Sequence, residues 1–277
     1  MPTLKIRMVA SDIDGTLLRS DGTISAHTVD MIHAAQERGI LFTICSGRFP
    51  EHADVLLKPY GIRCPITACN GATQWDARTD TILQNHFIRP ESARQVVETA
   101  EKNRLDYMIF CTKHISTRND RVPHSSQRLY GDLLTREYGV IYDTGLDAVR
   151  EALERPINKF YFQIDDLSHK QRMIEAFRQI SEISVTTSGQ NNIEIIPLGC
   201  DKAGGMREMA RLFDIDIEQV MAVGDYDNDV PMLQAAGLGV AMGNAPDHVK
   251  KRADQVTLSN NEDGLAKAIE KYVLNQE

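Results

Sequence analysis

Three apolar, β-rich runs of this chain each break off in a short loop dense with carboxylate, glycine or hydroxyl groups, and the first and last of them stand near opposite ends of the sequence. Residues 5–10 lead into a loop with Asp12, Asp14, Gly15 and Thr16; residues 40–45 end in Ser46-Gly47-Arg48; residues 220–223 run into Gly224-Asp225, followed by Asn228 and Asp229. In an open parallel sheet the loops at the carboxyl ends of the strands converge on one crevice, so residues remote in sequence meet there. Between the first two runs, Ser25 is suited to cap a helix that reaches Arg38 and is closed by Gly39, which makes strand, helix and strand a parallel crossover unit.

The same pattern governs both ends of the chain but not its middle. Residues 65–69 form another apolar run, and Asn70-Gly71 is followed by residues 72–76 and 81–86, which read as a short hairpin. Pro90 opens a polar helix. From residue 105 to about 188, strands at 105–111, 157–164 and 183–187 alternate with helices beginning at Ser125 and Ser168, without the loop-end clusters of Asp with Gly seen in the first part. The last stretch returns to the earlier style, with a helix from Asp227, a strand at 238–242 and a helix after Pro246. The expected fold is therefore α/β: a Rossmann-like parallel-sheet core made of residues 1–84 and 190–277, with an inserted α+β cap domain at 85–189.

Composition removes whole classes of function. Lys and Arg number 31 against 39 Asp and Glu, and a net charge of -8 argues against a protein that neutralises nucleic acid or coats an anionic bilayer. No stretch approaches the ~18 consecutive apolar residues of a spanning helix, and the opening residues do not resemble a signal peptide. The expected location is cytoplasmic. Five cysteines without a CxxC pair suit reduced thiols serving as small buried hydrophobes. No HExxH, GxxxxGK[ST] or GxSxG pattern occurs, so zinc peptidase, P-loop and serine hydrolase chemistries drop out.

Carboxylates remain. A lone Asp-Xaa-Asp says little, because acidic loop residues are mostly solvated or cap helices. Two acidic clusters that both follow buried strands are different: converging carboxylates repel one another unless a cation sits between them. Hard oxygen ligands with neither thiolate nor imidazole point to Mg²⁺.

Asp12-Ile13-Asp14-Gly15-Thr16-Leu17-Leu18, Cys45-Ser46-Gly47-Arg48, Asp201-Lys202 and Gly224-Asp225-Tyr226-Asp227-Asn228-Asp229 together resemble the four ordered motifs of the haloacid dehalogenase superfamily. Within it the chain is similar to the Cof-type phosphatases, including the Ala241-Met242-Gly243-Asn244-Ala245 segment typical of that group. Ser46 stands where Thr is common, and Asp201 where Ser or Asn often lies. The resemblance implies phosphoryl transfer through an aspartyl phosphate, with Asp12 as nucleophile and Asp14 as general acid and base. It implies that Asp12, the Asp14 backbone carbonyl and Asp225 hold Mg²⁺ and that Asp229 orients metal-bound water from behind. Ser46, Gly47, Lys202 and Asn228 would hold the transferring oxygens, and Thr16 would support the loop and Asp14.

The implied partner is a small phosphorylated metabolite, sugar phosphates first, ahead of flavin mononucleotide, pyridoxal phosphate and nucleotides, and the protein is expected to be a monomer or homodimer. Cap residues Lys113, His114, Arg118, Asn119, His124 and Lys159 are candidates for contact with the leaving group. Arg48 is expected either to touch substrate or to brace its loop against a helix carboxylate, and Asn70 to make a turn at the crevice. A dinucleotide fold fits poorly, because Gly237, Gly239 and Gly243 follow a helix and straddle a strand. Dehalogenation has no use for the acid Asp14. A phosphosugar mutase passing the same aspartyl phosphate to a sugar hydroxyl, and a catalytically idle binding module, remain as alternatives.

Overall fold

The computed structural model describes residues 5–119 and 131–276, and the chain divides into two compact units, residues 1–84 with 201–277 and residues 85–200. The first is built on an eight-stranded sheet. In chain order its strands are β1 (Met8–Ser11), β2 (Leu41–Cys45), β3 (Pro65–Ala68), β4 (Thr73–Asp76) and β5 (Thr81–Asn85). After the insertion come β12 (Val220–Gly224), β13 (Leu238–Ala241) and β14 (Gln255–Val256). The sheet order is β14-β13-β12-β1-β2-β3-β4-β5. All pairs from β14 to β3 are parallel, and β4 returns antiparallel to β3.

Parallel strands covered on both faces must be apolar along their whole length, and Met-Val-Ala-Ser, Leu-Phe-Thr-Ile-Cys and Val-Met-Ala-Val-Gly meet that demand. Met8, Ala10, Val220 and Ala222 pack with Met206 and Met209 of the helix Lys202–Leu212 and with Met232 and Leu233 of the helix Val230–Ala235. The helix Ala26–Glu37, capped by Ser25 Oγ accepting from the Thr28 N–H, packs against β2 and the helix Gly264–Ile269. The chain winds outward from β1 through β2 and β3, then restarts on the other flank of β1 with β12, β13 and β14. The order therefore reverses between β1 and β12, the point at which α/β sheets open a crevice.

The second unit holds β6 (Asp106–Cys111), β7 (His114–Thr117), β8 (Ile141–Thr144), β9 (Ile157–Gln163), β10 (Ile183–Thr186) and β11 (Asn192–Pro197) in the order β10-β11-β9-β6-β7-β8. Its pairs are antiparallel except β7 with β8. One face carries the helices Pro90–Lys102, Leu146–Leu153 and Leu167–Phe177, whose Val96, Val149 and Phe177 pack with Tyr107, Phe160, Phe162 and Ile193.

Two sequence expectations are corrected here. Residues 190–200 belong to the second unit, not the first, because β11 is hydrogen-bonded between β9 and β10. The helix expected from Ser168 begins one residue earlier, at Leu167, behind the cap Asp166, whose Oδ1 accepts from the His169 N–H at 2.7 Å. The expected helix start at Ser125 and the candidate His124 lie outside the described residues.

Candidate active site

The carboxyl ends of β1 and β12 bring the first and last acidic loops together. Asp12 directly follows β1 and extends its ladder, its N–H bonding to the Val223 carbonyl at 3.0 Å. Residues Ile13–Leu17 then make one wide turn, closed by Leu18 N–H to Ile13 O at 2.9 Å, with Gly15 at φ 76°. Glycine is required there twice over. The backbone is left-handed, and a Cβ would lie 2.3 Å from Asp225 Oδ2.

Lys202 opens its helix behind the Asp201 cap, whose Oδ1 accepts from the Gly204 N–H at 2.6 Å. Its Nζ, in a side chain 2% exposed, donates to Asp12 Oδ1 at 2.7 Å and to Asp229 Oδ1 at 2.6 Å. Asp229 spends its other oxygen on its own loop, Oδ2 accepting from the backbone N–H groups of Asp225 and Tyr226 at 2.9 and 3.0 Å. Fully buried, it fixes the turn that presents Asp225. The Asp225 carboxylate is oriented by Thr16, whose Oγ1 donates to Oδ1 at 3.1 Å. Thr16 thus serves Asp225, which corrects the expectation that it supports Asp14.

Ser46 is buried at the end of β2, and its Oγ accepts from the Arg48 N–H at 3.2 Å. Half-buried Gly47 lies between them. Arg48 reaches across to Asp14, Nε to Oδ2 at 2.8 Å and Nη2 to Oδ1 at 2.7 Å. The fork joins the first loop to the second. After β3, Cys69 and Asn70 both adopt positive φ, and their N–H groups bond the carbonyls of Arg48 and Ser46 at 2.9 and 3.0 Å. Gly71, at φ 95°, leaves no room for a Cβ, which would stand 2.2 Å from the Asp201 carbonyl oxygen. This turn, read from sequence only as a turn at the crevice, clamps the second loop and the Lys202 helix start. Asn228 is half-buried in the turn Asp227–Asp229, and among the described residues no hydrogen bond joins its side chain to the cluster.

The charges are unbalanced. Ligand atoms of Asp12, Asp225 and Asp229 lie within 4.8 Å of one another, with one lysine among them. Burial, then the Asp229 charge, pushes the Asp12 carboxyl well above its ordinary range against the pull of Lys202. Burial, then Asp229, lifts Asp225 to about 7, opposed by Thr16 and Lys202. For Lys202, burial acts to lower the pKa, but the charges of Asp12 and Asp229 outweigh it and hold the ammonium form. Partial desolvation acts to raise Asp14, whose side chain is 59% exposed, yet the Arg48 hydrogen bonds and charge bring its carboxyl below the ordinary value. Cys45 is no competitor as a ligand, since burial pushes its thiol up to about 12. A set of hard oxygens carrying excess negative charge is what a small divalent cation fits.

Of the cap candidates, His114, Arg118, Asn119 and Lys159 are engaged within the second unit. His114 bonds Asp143 at 2.6 Å and also Arg155; Arg118 pairs with Glu101 at 2.6 Å and Asn119 with Asp106 at 2.5 Å. Lys113 turns the chain between β6 and β7, and Lys159 forms a buried pair with Glu194 at 2.9 Å. Sequence reasoning missed two participants at the cluster: the Arg48 fork on Asp14, and Asn244, which bonds both acidic loops. The Asn244 segment was visible as a motif, but its sequence gives no sign of which groups it meets. Among the described residues no helix is long and apolar enough to cross a membrane.

Comparison with known proteins agrees with this geometry. The family model for haloacid dehalogenase-like hydrolases matches residues 9–269. The 5-amino-6-(5-phospho-D-ribitylamino)uracil phosphatase YcsE of Bacillus subtilis is 29% identical, over 97% of this chain and 96% of its own length. Phosphatase YwpJ of the same organism is 28% identical, over 94% and 98%. A crystal structure of a haloacid dehalogenase-like hydrolase from Bacteroides thetaiotaomicron, 28% identical, superposes with a TM-score of 0.82 over 96% of this chain and 99% of that one. With its four motif loops at one crevice and a family match over nearly its whole length, the chain belongs to the haloacid dehalogenase-like hydrolases.

Proposed function

We propose that the protein is a phosphatase of small organic phosphate monoesters, working in two displacements with Asp12 as nucleophile and Mg²⁺ as cofactor. The observation that carries this reading is the contact of buried Asp12 with Lys202 at 2.7 Å, beside Asp225 and Asp229, at the point where the sheet order reverses. A carboxylate suits the first displacement because its acyl phosphate is labile enough to be hydrolysed next.

In the first step an Asp12 oxygen bonds to phosphorus as the ester P–O bond breaks, and Asp14 gives a proton to the departing alkoxide. In the second, water attacks the phosphorus of the aspartyl phosphate while Asp14 takes its proton. The bond to Asp12 then breaks, inorganic phosphate leaves and both carboxyl groups return to their starting forms. Lys202, the Ser46 hydroxyl, the Gly47 N–H and Asn228 hold the transferring oxygens. Asp12 and Asp225, with the Asp14 carbonyl, are the groups that would hold Mg²⁺, and Asp229 acts from behind by fixing the Asp225 turn. When bound, Mg²⁺ supplies the positive charge that a monoester of about two negative charges needs beside three carboxylates and one lysine.

The alcohol half is assigned to a polyhydroxylated chain. Sugar phosphates lead by family resemblance, and the name of the relative YcsE places a phosphate on a ribityl chain. The test is purified protein with Mg²⁺ against a panel of sugar, ribityl, pyridoxal and nucleoside monophosphates, reading inorganic phosphate and alcohol together. Equal release of both is expected. Failure on every monoester ends the proposal, and transfer of phosphate to a second sugar in place of release points to the mutase.

A further inference from the structure

The segment Ala241-Met242-Gly243-Asn244-Ala245 takes no part in the two displacements, yet it ends against the acidic cluster. It continues β13, with the Met242 N–H bonded to the Gly224 carbonyl at 3.0 Å. Gly243 packs so tightly on residues 257–259 that a Cβ would stand 2.7 Å from the Leu258 carbonyl carbon. Asn244 is therefore delivered on a fixed backbone. Its Nδ2 donates to the Gly15 carbonyl at 2.9 Å and to Asp225 Oδ2 at 3.3 Å. Its Oδ1 accepts from the Asn260 N–H at 3.0 Å, and Asn260 Nδ2 in turn donates to the Leu18 carbonyl at 2.8 Å.

These partners fix the amide orientation, since a flipped Asn244 would set its oxygen against a carbonyl and a carboxylate and leave the Asn260 donor facing an NH₂ group. Both oxygens of Asp225 are thus held, Oδ1 by Thr16 and Oδ2 by Asn244. The same Nδ2 holds the Gly15 carbonyl, so one amide group sets the spacing between the first acidic turn and the last. Outer partners of a ligating carboxylate usually govern metal affinity by orienting it.

We infer that Asn244 is a positioning residue for the divalent cation, holding Asp225 at its distance from the Asp12 loop. The inference rests on the reading of Asp225 as a metal ligand. Mg²⁺ affinity measured by titration calorimetry on the full chain tests it, with melting in a chelator as the control for folding. Asn244→Ala is expected to bind Mg²⁺ about 10- to 100-fold more weakly while its melting midpoint in chelator stays near that of the parent. Asn244→Asp keeps the shape but turns an acceptor toward Asp225. A pure charge effect would tighten Mg²⁺ binding in that variant, whereas lost positioning weakens it, and weakening is expected. Parental or tighter affinity in either variant overturns the inference. A parent chain that binds no Mg²⁺ overturns the metal reading instead.

Discussion

Arg48 grips Asp14 through two parallel hydrogen bonds of 2.8 and 2.7 Å, tying together loops whose residues stand 34 positions apart. The fork favours the ionised carboxylate, whereas protonation of a leaving alkoxide needs the acid. Removing the fork lets the Asp14 carboxyl rise toward its ordinary value, so the acid form survives to higher pH. Arg48→Ala is therefore expected to move the alkaline limb of the pH profile of kcat/KM upward for alkyl phosphates. Loss of aim should lower the peak rate about 10- to 100-fold, less so for aryl phosphates, which need little proton donation. Arg48→Lys should not restore the peak, because an ammonium cannot form the fork. An alkaline limb that stays in place would mean that Arg48 leaves Asp14 before the chemical step.

Asp12→Asn removes the attacking oxygen and one of three crowded negative charges. Turnover should fall by more than about 10⁴-fold. Because burial and Asp229 already penalise the Asp12 charge, the variant should melt no lower than the parent in chelator. Substantial activity in a sample verified free of deamidation contradicts the assigned nucleophile, and a lower melting temperature contradicts the electrostatic account.

Asp225 gives the fold a pH dependence whose sign follows from its raised pKa. An unfolded aspartate titrates near 3.8 and the folded Asp225 at about 7. The stability it contributes is complete below the lower value and is lost as pH rises through the higher one. In chelator, melting temperature is expected to fall between about pH 4 and about pH 7 and to level off above that, and added Mg²⁺ to stabilise more at about pH 8 than at about pH 6, since the metal takes only the ionised ligand. Asp225→Asn should flatten both trends. Equal Mg²⁺ stabilisation at the two pH values would show that Asp225 is ionised throughout.

Lys202→Met leaves Asp12 and Asp229 buried without their shared cation. Removing one member of a buried charge cluster typically costs about 3 to 5 kcal/mol. The loss should be largest above neutrality and smaller near about pH 5, where Asp12, whose carboxyl burial already lifts, can take a proton. Urea denaturation at the two pH values measures it. A pH-independent loss would indicate packing as its main source.

The core and its crevice were legible because buried parallel strands must be apolar throughout and the residues after them must be polar, so β1, β2 and β12 announce themselves. The edge of the insertion was not. β11 reads Asn-Ile-Glu-Ile-Ile-Pro, and its Glu194 is buried against Lys159; the linear order does not tell which of two sheets such a strand joins. The start of the helix Leu167–Phe177 reads one residue late, because Asp166 and Ser168 can both accept the free N–H groups at such an end. Partners such as Arg48 with Asp14, Thr16 with Asp225 and Asn244 with Gly15 come from separate loops, and pairing across loops is a property of the folded sheet alone.

The central position of β1 has a consequence for how the chain must be made. One flank of this strand is filled early by β2, whereas its other neighbour, β12, is synthesised only after the whole insertion. A growing chain emerging from the ribosome therefore carries a half-built sheet with a bare, apolar flank while some hundred and more residues are added. The nucleophile would reach its lysine last, in the same event that seals the sheet, so a truncated or stalled chain should lack phosphatase activity and be sticky.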